Sequence, residues 1–272
     1  MATDLRKEAI EQALRGRFGR PLQFFDEVDS TNRVALSWAS EDAPEGALVV
    51  ADHQTAGRGR KARDWSSQPG KLLQFSLILR PSVSVAQLSL LPTALGLACA
   101  EGIEATTHLR PALKWPNDVT IGGLKVAGIL VETRVTGSRL EAAIAGVGIN
   151  VGWKTEELPE ALVDTATSIS IELQRRTSPP PTPPRAVLLQ RVIASLENLY
   201  PLVLDASRWN DVIARASARS EIIGREIVVK WPDGSATQGT ATRLLTTGAL
   251  EVVGSRGTSE VYAGEIEHIR TA

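Results

Sequence analysis

Apolar positions recur at mixed helical and strand spacing over roughly the first 220 residues and at strand spacing alone thereafter. Leu5, Ala9, Ile10, Ala13 and Leu14 repeat with helical period, and Glu11 stands four before Arg15 on the polar side. A strand at 22–25 follows. Ser30 then occupies an N-cap position ahead of a helix whose apolar face carries Val34, Ala35 and Trp38. A strand at 47–52 leads into a basic segment. Residues 72–79 read as a partly buried strand ended by Pro81, and 85–103 carries the longest apolar helical pattern, in which Pro92 predicts a kink or a late start. Three short strands come next, at 112–115, 125–133 and 140–147. Gly122-Gly123 marks the turn between the first two, and Thr136-Gly137-Ser138 the turn between the second and third. Connections this short join antiparallel neighbours, which argues against a doubly wound parallel sheet.

Five prolines within 179–184 enforce extended backbone. They do not divide the chain into domains, because 185–204 and a shorter run with Trp209, Val212 and Ile213 form two more helices that need a core to lie on. The boundary falls near Ser220. Beyond it, strands at 226–230, 237–245, 249–253 and 259–262 alternate with turn signals at Asp233-Gly234, Gly248 and Arg256-Gly257. The expected fold class is α+β: a mixed, largely antiparallel central sheet packed with helices over residues 1–219, and a small β-barrel-like module over 220–272.

Composition narrows the function. With 272 residues, 43% hydrophobic and 22% charged, the chain has enough apolar material for a sizeable core. A formal net charge of −1 argues against a general nucleic-acid binder. The single cysteine, Cys99, sits in the apolar run LGLACAEGI, which excludes an internal disulfide and marks it as core filler. No apolar leader opens the chain, and no stretch is read as reaching the roughly 18 apolar residues of a membrane span, so a cytoplasmic location is expected.

Chemistry concentrates in four places. In ADHQTAGRGRKARDW, residues 51–65, Gly57 and Gly59 free the backbone for close approach while Arg58, Arg60, Lys61 and Arg63 suit carboxylate and phosphate oxygens. The segment reads as a mobile loop, with a solvated basic turn as the plain alternative. In LKWPNDV, residues 113–119, Pro116 halts a strand and presents Asn117 and Asp118. The near copy VKWPDG at 229–234 reads as an ordinary hairpin turn and is assigned no function. Lys125 opens an apolar strand beside the sheet edge that carries Asp118, where a cation and a carboxylate could share one cleft, a solvated lysine being the plain alternative. Gly146-Val147-Gly148-Ile149-Asn150 ends a strand with two glycines and an amide, which fits a strand finishing in a tight turn and also fits close approach and adenine recognition. No GxxxxGK[ST] is present, and His53, His108 and His268 have no G-x-S-x-G partner. What remains suits anion chemistry on a nucleotide: a carboxylic acid attacking a phosphoryl group, cations neutralising the charge, and a carboxylate holding magnesium.

The segments G-R-G-R-K-A-R-D-W at 57–65, K-W-P-N-D at 114–118, L-K-V-A-G-I-L-V-E at 124–132 and G-V-G-I-N at 146–150, in this order and spacing, resemble biotin protein ligase. S-T-N at 30–32 and A-G-E-I at 263–266 are similar to that family's as well, so the likeness runs from about Phe24 onward. It implies a class II synthetase-like ligase fold with an SH3-like C-terminal domain. The implied reaction forms biotinyl-AMP from biotin and MgATP and passes the biotinyl group to a lysine of a biotin carboxyl carrier protein of acetyl-CoA carboxylase, or of a similar carrier domain. Carried over residue by residue, Ser30, Thr31, Asn32 and Gln54 would bind biotin, together with Gly57, Arg58, Gly59, Arg60, Lys125 and Gly128. Arg60, Arg63, Trp65, Lys114, Asn117 and Asn150 would bind ATP and the adenylate. Arg60, Lys125 and Asp118 would be catalytic, with Asp118 also the residue near the metal, Mg2+.

About two dozen residues precede the matching region, which predicts no N-terminal DNA-binding domain and no DNA partner. Membrane association is not expected, and the oligomeric state is open, a homodimer included. One departure is Ala62, where the family usually has glycine; alanine is penalised wherever φ is positive, by about 1 kcal/mol or a little more. The rival readings are a lipoate or octanoate transferase of related fold, which would need a long apolar acyl slot, and a non-catalytic binder of biotin or of carrier domains.

Overall fold

A computed structural model describes residues 4–231, 235–255, 257–262 and 265–268. Seven strands form the principal sheet: β1 (Leu22–Val28), β2 (Leu48–Gln54), β3 (Leu72–Leu79), β4 (Ala112–Lys114), β5 (Asp118–Ile121), β6 (Leu124–Thr136) and β7 (Arg139–Asn150). Their spatial order is β1-β2-β3-β7-β6-β5-β4. Only β1 and β2 run parallel, joined through helix α2 (Thr31–Ser40); every other pair is antiparallel.

β3 lies inside the sheet between β2 and β7 and is buried on both faces, where the sequence suggested partial burial. Its period of two explains the architecture. Leu73, Phe75, Leu77 and Leu79 belong to the main core together with helices α3 (Leu91–Thr107) and α5 (Arg185–Leu204). Ile78 faces the other way, toward Ala35 and Ala39 of α2, and on the same side Gln74 and Ser76 are fully buried polar residues. The helix-bearing face is tightly packed: a Cβ on Gly102 of α3 would come within 2.6 Å of Val192 on α5. Leu95, Leu97 and Ile103 of α3 are fully buried, each contributing about 2 kcal/mol of transfer free energy. Helix α1 (Lys7–Ala13) is shorter than its apolar pattern, yet Leu5 and Leu14 on either side are buried with Ile10.

Pro92 acts as a late start rather than a kink. A 3-10 turn at Val85–Leu88 comes first, and Pro92 takes the first turn of α3, where its missing N–H is not needed. The sequence missed β5, hidden by the turn signal of Pro116 and Asn117, so Gly122-Gly123 joins β5 to β6 rather than the first two expected strands. Helix α4 (Ile169–Gln174) was missed too, while α6 (Trp209–Ala218) follows α5 as anticipated. By length and composition Val85–Thr107 and Arg185–Leu204 would both pass as membrane spans, against the sequence reading. Here both pack on the sheet and on each other, which is why they are apolar.

The C-terminal strands β8 (Glu226–Lys230), β9 (Ala236–Leu244), β10 (Leu250–Gly254), β11 (Gly257–Val261) and β12 (Glu265–His268) form a separate antiparallel sheet in the order β11-β10-β9-β8-β12, in keeping with an SH3-like module. β12 was not anticipated. The turn residues Asp233, Gly234 and Arg256, and Ala263 and Gly264 of the A-G-E-I segment, lie outside the described residues. Trp115 ties the two sheets together, its Nε1 donating to the carbonyl of Gly248 at 3.0 Å.

Candidate active site

On the sheet face opposite α3, ladder partners form a row: Asp118 of β5, Gly128 of β6, Gly148 of β7, Gln74 of β3 and Ala51 of β2. The two glycines make a trough, and the indole of Trp65 lies in it. A Cβ on Gly148 would stand 2.7 Å from Trp65 Cε2 and Nε1, and one on Gly128 would stand 2.9 Å from Cζ3. The close approach predicted for G-V-G-I-N is therefore real, but the approaching group is this chain's own tryptophan. The Trp65 Nε1–H is buried without an acceptor among the described residues.

Two residues along, the next row carries Ser76, Gly146 and Leu130. A Cβ on Gly146 would meet Asn32 Oδ1 at 2.1 Å, so glycine there is what admits the Asn32 amide. A polar network surrounds it, with the Glu132 carboxylate accepting from Asn32 Nδ2 at 2.7 Å. Ser76 Oγ donates to Asn32 Oδ1 at 2.6 Å and lies 2.8 Å from the Thr31 hydroxyl oxygen. Gln54 Oε1 accepts from the Thr31 N–H at 2.7 Å and from its hydroxyl at 3.0 Å, and Gln54 Nε2 donates to Gln74 Oε1 at 2.7 Å. Ser30 takes the N-cap position of α2 as expected, but its side chain makes no capping bond. Gln74 and Ser76 were missed by the sequence reading, although two polar residues at period two inside the apolar LLQFSLIL were a usable signal.

Lys125 reaches this face through a β-bulge. Pairing shifts by one residue between Val119 and Thr120, so Val119 faces Ala127 while Thr120 faces Lys125. The Lys125 backbone is fixed by donation to Thr165 O and acceptance from Thr167 N, each at 2.9 Å. Its side chain crosses Gly128, where a Cβ would stand 3.1 Å from Lys125 Cε. Nζ lies 2.7 Å from Asp118 Oδ1 and 5.2 Å from the Trp65 ring centroid. That carboxylate contact is an ion pair without hydrogen-bond geometry.

The basic loop folds back on itself through Gly59 N to Arg63 O at 2.7 Å and Trp65 N to Gly57 O at 2.9 Å. It holds one 3-10 turn, Arg60–Ala62, where the sequence expected no regular element. A positive φ falls on Lys61, at 55°, next to Ala62. Arg60 Nη1 donates to Asn117 Oδ1 at 3.1 Å, and Asn117 Nδ2 to Ile129 O at 2.8 Å. Arg58 pairs with Glu132, a residue to which the sequence reading gave no role.

These groups surround one cleft of about 460 Å³. Arg60, Lys125 and Asp118 all line it, as do Arg63, Lys114 and Asn117. Thr31, Gln54 and Asn32 line it too, and Ile266 of β12 contributes from the second sheet. Gly57 instead sits at the loop's base, where a Cβ would meet Trp65 O at 2.7 Å. Asn150 borders the cleft with its amide N–H groups directed at Thr167 O, 3.0 Å, and Lys125 O, 3.5 Å, rather than held open for a base. His53 lies against Glu27 at 3.0 Å. No group of three or more His, Cys, Asp or Glu side chains with metal-binding geometry occurs among the described residues.

Residues 24–150 match the Biotin/lipoate A/B protein ligase family. The biotin–[acetyl-CoA-carboxylase] ligase of Mycobacterium tuberculosis is 32% identical over 278 residues, covering 98% of both chains. A bifunctional ligase/repressor of Bacillus spizizenii is 39% identical over 182 residues, which is 67% of this chain and 54% of that protein; the chain thus spans about half the length of that relative. Among solved structures, the biotin protein ligase of Aquifex aeolicus in complex with biotin and ATP superposes with a TM-score of 0.71 at 29% identity, over 93% of this chain and 100% of that one. With full-length similarity and a cleft built from the four ordered motifs, the chain belongs to the Biotin/lipoate A/B protein ligase family and, within it, to the biotin protein ligases.

Proposed function

We propose that the protein joins biotin to a lysine of a carrier protein in two steps driven by ATP. In the first, a biotin carboxylate oxygen attacks the α-phosphorus of ATP, the bond from that phosphorus to its bridging oxygen breaks, and pyrophosphate leaves. In the second, the acceptor amine attacks the acyl carbon of biotinyl-5′-AMP, AMP departs with the bonding pair, and the amine loses a proton. The observation that carries this reading is the meeting of Arg60, Lys125 and Asp118 at one cleft that Thr31, Asn32 and Gln54 also line.

Bringing a carboxylate to a triphosphate crowds like charges together. One cation about 4 Å from one anion contributes about 4 kcal/mol at an effective dielectric of about 20, so Arg60 and Lys125 are the principal charge stabilisers, and Arg58 and Gly59 wrap the carboxylate. Thr31, Asn32 and Gln54, with Ser30, present donors and acceptors side by side and suit the biotin head group. Trp65, with an indole N–H that lacks an acceptor among the described residues, forms the adenylate side together with Arg63, Lys114 and Asn117. Asn150 contributes by holding residues 165–167 over Lys125.

Magnesium fits here in its usual nucleotide-borne form, held by one carboxylate, phosphate oxygens and water. Asp118 would be that carboxylate, and the ion would add neutralising charge at the phosphates. Residues 1–219 are read as the catalytic unit and 220–272 as the SH3-like unit that lends Ile266 to the cleft. A cytoplasmic location follows from this reading, since carrier proteins of acetyl-CoA carboxylase are its acceptor class.

Incubating the chain with biotin, MgATP and a biotin carboxyl carrier domain should add the mass of one biotinyl group to the carrier. Pyrophosphate–ATP exchange should depend on biotin and not on lipoate. A carrier left unmodified, or exchange that lipoate supports equally, would overturn the assignment.

A further inference from the structure

Arg58, a cation of the cleft, is tied to a carboxylate with no role so far. Its Nη2 donates to both oxygens of Glu132 at 3.0 Å. Glu132 Oε2 also accepts from Asn32 Nδ2 at 2.7 Å. The two ends of this relay differ in rigidity. Glu132 stands on β6, paired with Ile144 of β7, and Asn32 is locked by Ser76 and by the space that Gly146 leaves for it. Arg58 belongs to the loop, between two glycines, and its side chain is 40% exposed.

Nη2 alone is engaged, so the Nε and Nη1 donors have no partner among the described residues, and Arg58 lines the cleft. A guanidinium can satisfy two carboxylates at once, one on each edge of its fork. We propose that Glu132 is a positioning residue for Arg58: it docks the first limb of the basic loop onto β6 and leaves the remaining guanidinium edge for the substrate carboxylate. This rests on the ligase reading and identifies how its basic loop is seated. A long side chain on a glycine-flanked limb loses much of its freedom on binding, and a group already ordered by Glu132 loses less at that moment. Because Asn32 touches both Glu132 and the polar pocket, occupancy of the pocket and seating of the loop are linked through Asn32, Glu132 and Arg58.

The test is a double-mutant cycle on the full chain, with KM for biotin and kcat read from biotin-dependent pyrophosphate–ATP exchange. Glu132→Ala should raise KM for biotin roughly three- to tenfold, the range of a half-exposed charge-assisted pair, with a smaller change in kcat. Glu132→Gln, which keeps an acceptor oxygen, should recover part of the loss. In an Arg58→Ala background, adding Glu132→Ala should change KM less than about twofold, because the residue it positions is gone. A wild-type KM in Glu132→Ala, a change confined to kcat, or the same added loss with and without Arg58 would overturn the proposal. Should Glu132→Ala fail to fold by circular dichroism, Glu132→Gln takes its place in the cycle. Exchange absent from the wild type would sink the ligase reading instead, and the cycle would then be read from biotin Kd by calorimetry.

Discussion

Replacing Gly148 by alanine tests the trough on which the cleft is built. The new methyl would stand 2.7–2.8 Å from three atoms of the Trp65 ring, against 3.4–4 Å for ordinary contact, so something must move by about 0.7 Å. Around Gly148, β7 is held between β3 and β6 from Ala143 to Ile149 and will not yield, whereas Trp65 closes a loop. Overpacking a rigid core costs about 1–3 kcal/mol. With the strain relieved by the loop, urea unfolding should show a loss near the lower end, about 1 kcal/mol. Catalysis should suffer more. Trp65 N bonds to Gly57 O, so ring displacement pulls on the limb that carries Arg58 and Arg60. A misplacement near 1 Å costs about a hundredfold in rate when reacting groups must align. Pyrophosphate–ATP exchange at saturating biotin should therefore fall about ten- to a hundredfold. Measured against Trp65→Phe, whose ring lacks the atoms nearest the methyl, the Gly148→Ala penalty should shrink. Exchange within twofold of wild type, or a penalty identical in both backgrounds, would refute the packing argument.

Three other outcomes follow from the same coordinates. Lys125→Met removes the cation 2.7 Å from Asp118 and should lower kcat/KM by about a hundredfold or more; a loss under about fivefold in steady-state biotinylation would remove Lys125 from the chemistry. Burial pushes the Cys99 thiol up to about 12, so a disulfide reagent at mildly alkaline pH should label the unfolded chain and not the native one, and rapid native labelling would show that α3 opens. The Glu157 carboxyl is held below its ordinary value by hydrogen bonds from the Lys71 ammonium and then the Lys154 backbone. A depressed carboxylate contributes stability that is present above its unfolded pKa and lost as pH falls through its folded one. Urea midpoints should hence decline on acidification below the ordinary carboxylate range, less steeply in Glu157→Gln; equal slopes in the two proteins would contradict this.

Elements dominated by local pattern were legible from the letters. The bounds 72–79 and 185–204 match β3 and α5 residue for residue, because one is a long apolar run stopped by a proline and the other begins after the proline-rich stretch. β5 was not legible. Its four residues follow a turn signal, and they become a strand only because β4 and β6 lie on either side to pair with them. Arg60, Lys125 and Asp118 were correctly expected in one cleft, whereas Asn150 was expected to offer its amide to adenine and instead directs it to Thr167 and Lys125 carbonyls. The glycines of G-V-G-I-N signalled close approach without saying to what.

By itself the sequence determined the kinds of groups available: a glycine-flanked basic loop, a carboxylate beside a proline turn, a lysine at a strand start and two polar residues in an apolar strand. Those are properties of neighbours along the chain, where sterics and period act over a few residues. Which groups meet was decided by tertiary pairing. The one-residue register slip between Val119 and Thr120 aims Lys125 at Asp118, and the Asp118-Gly128-Gly148 row receives a tryptophan from far along the chain. Register is a relation between strands, fixed by the packing of both sheet faces at once, and no local spacing encodes it.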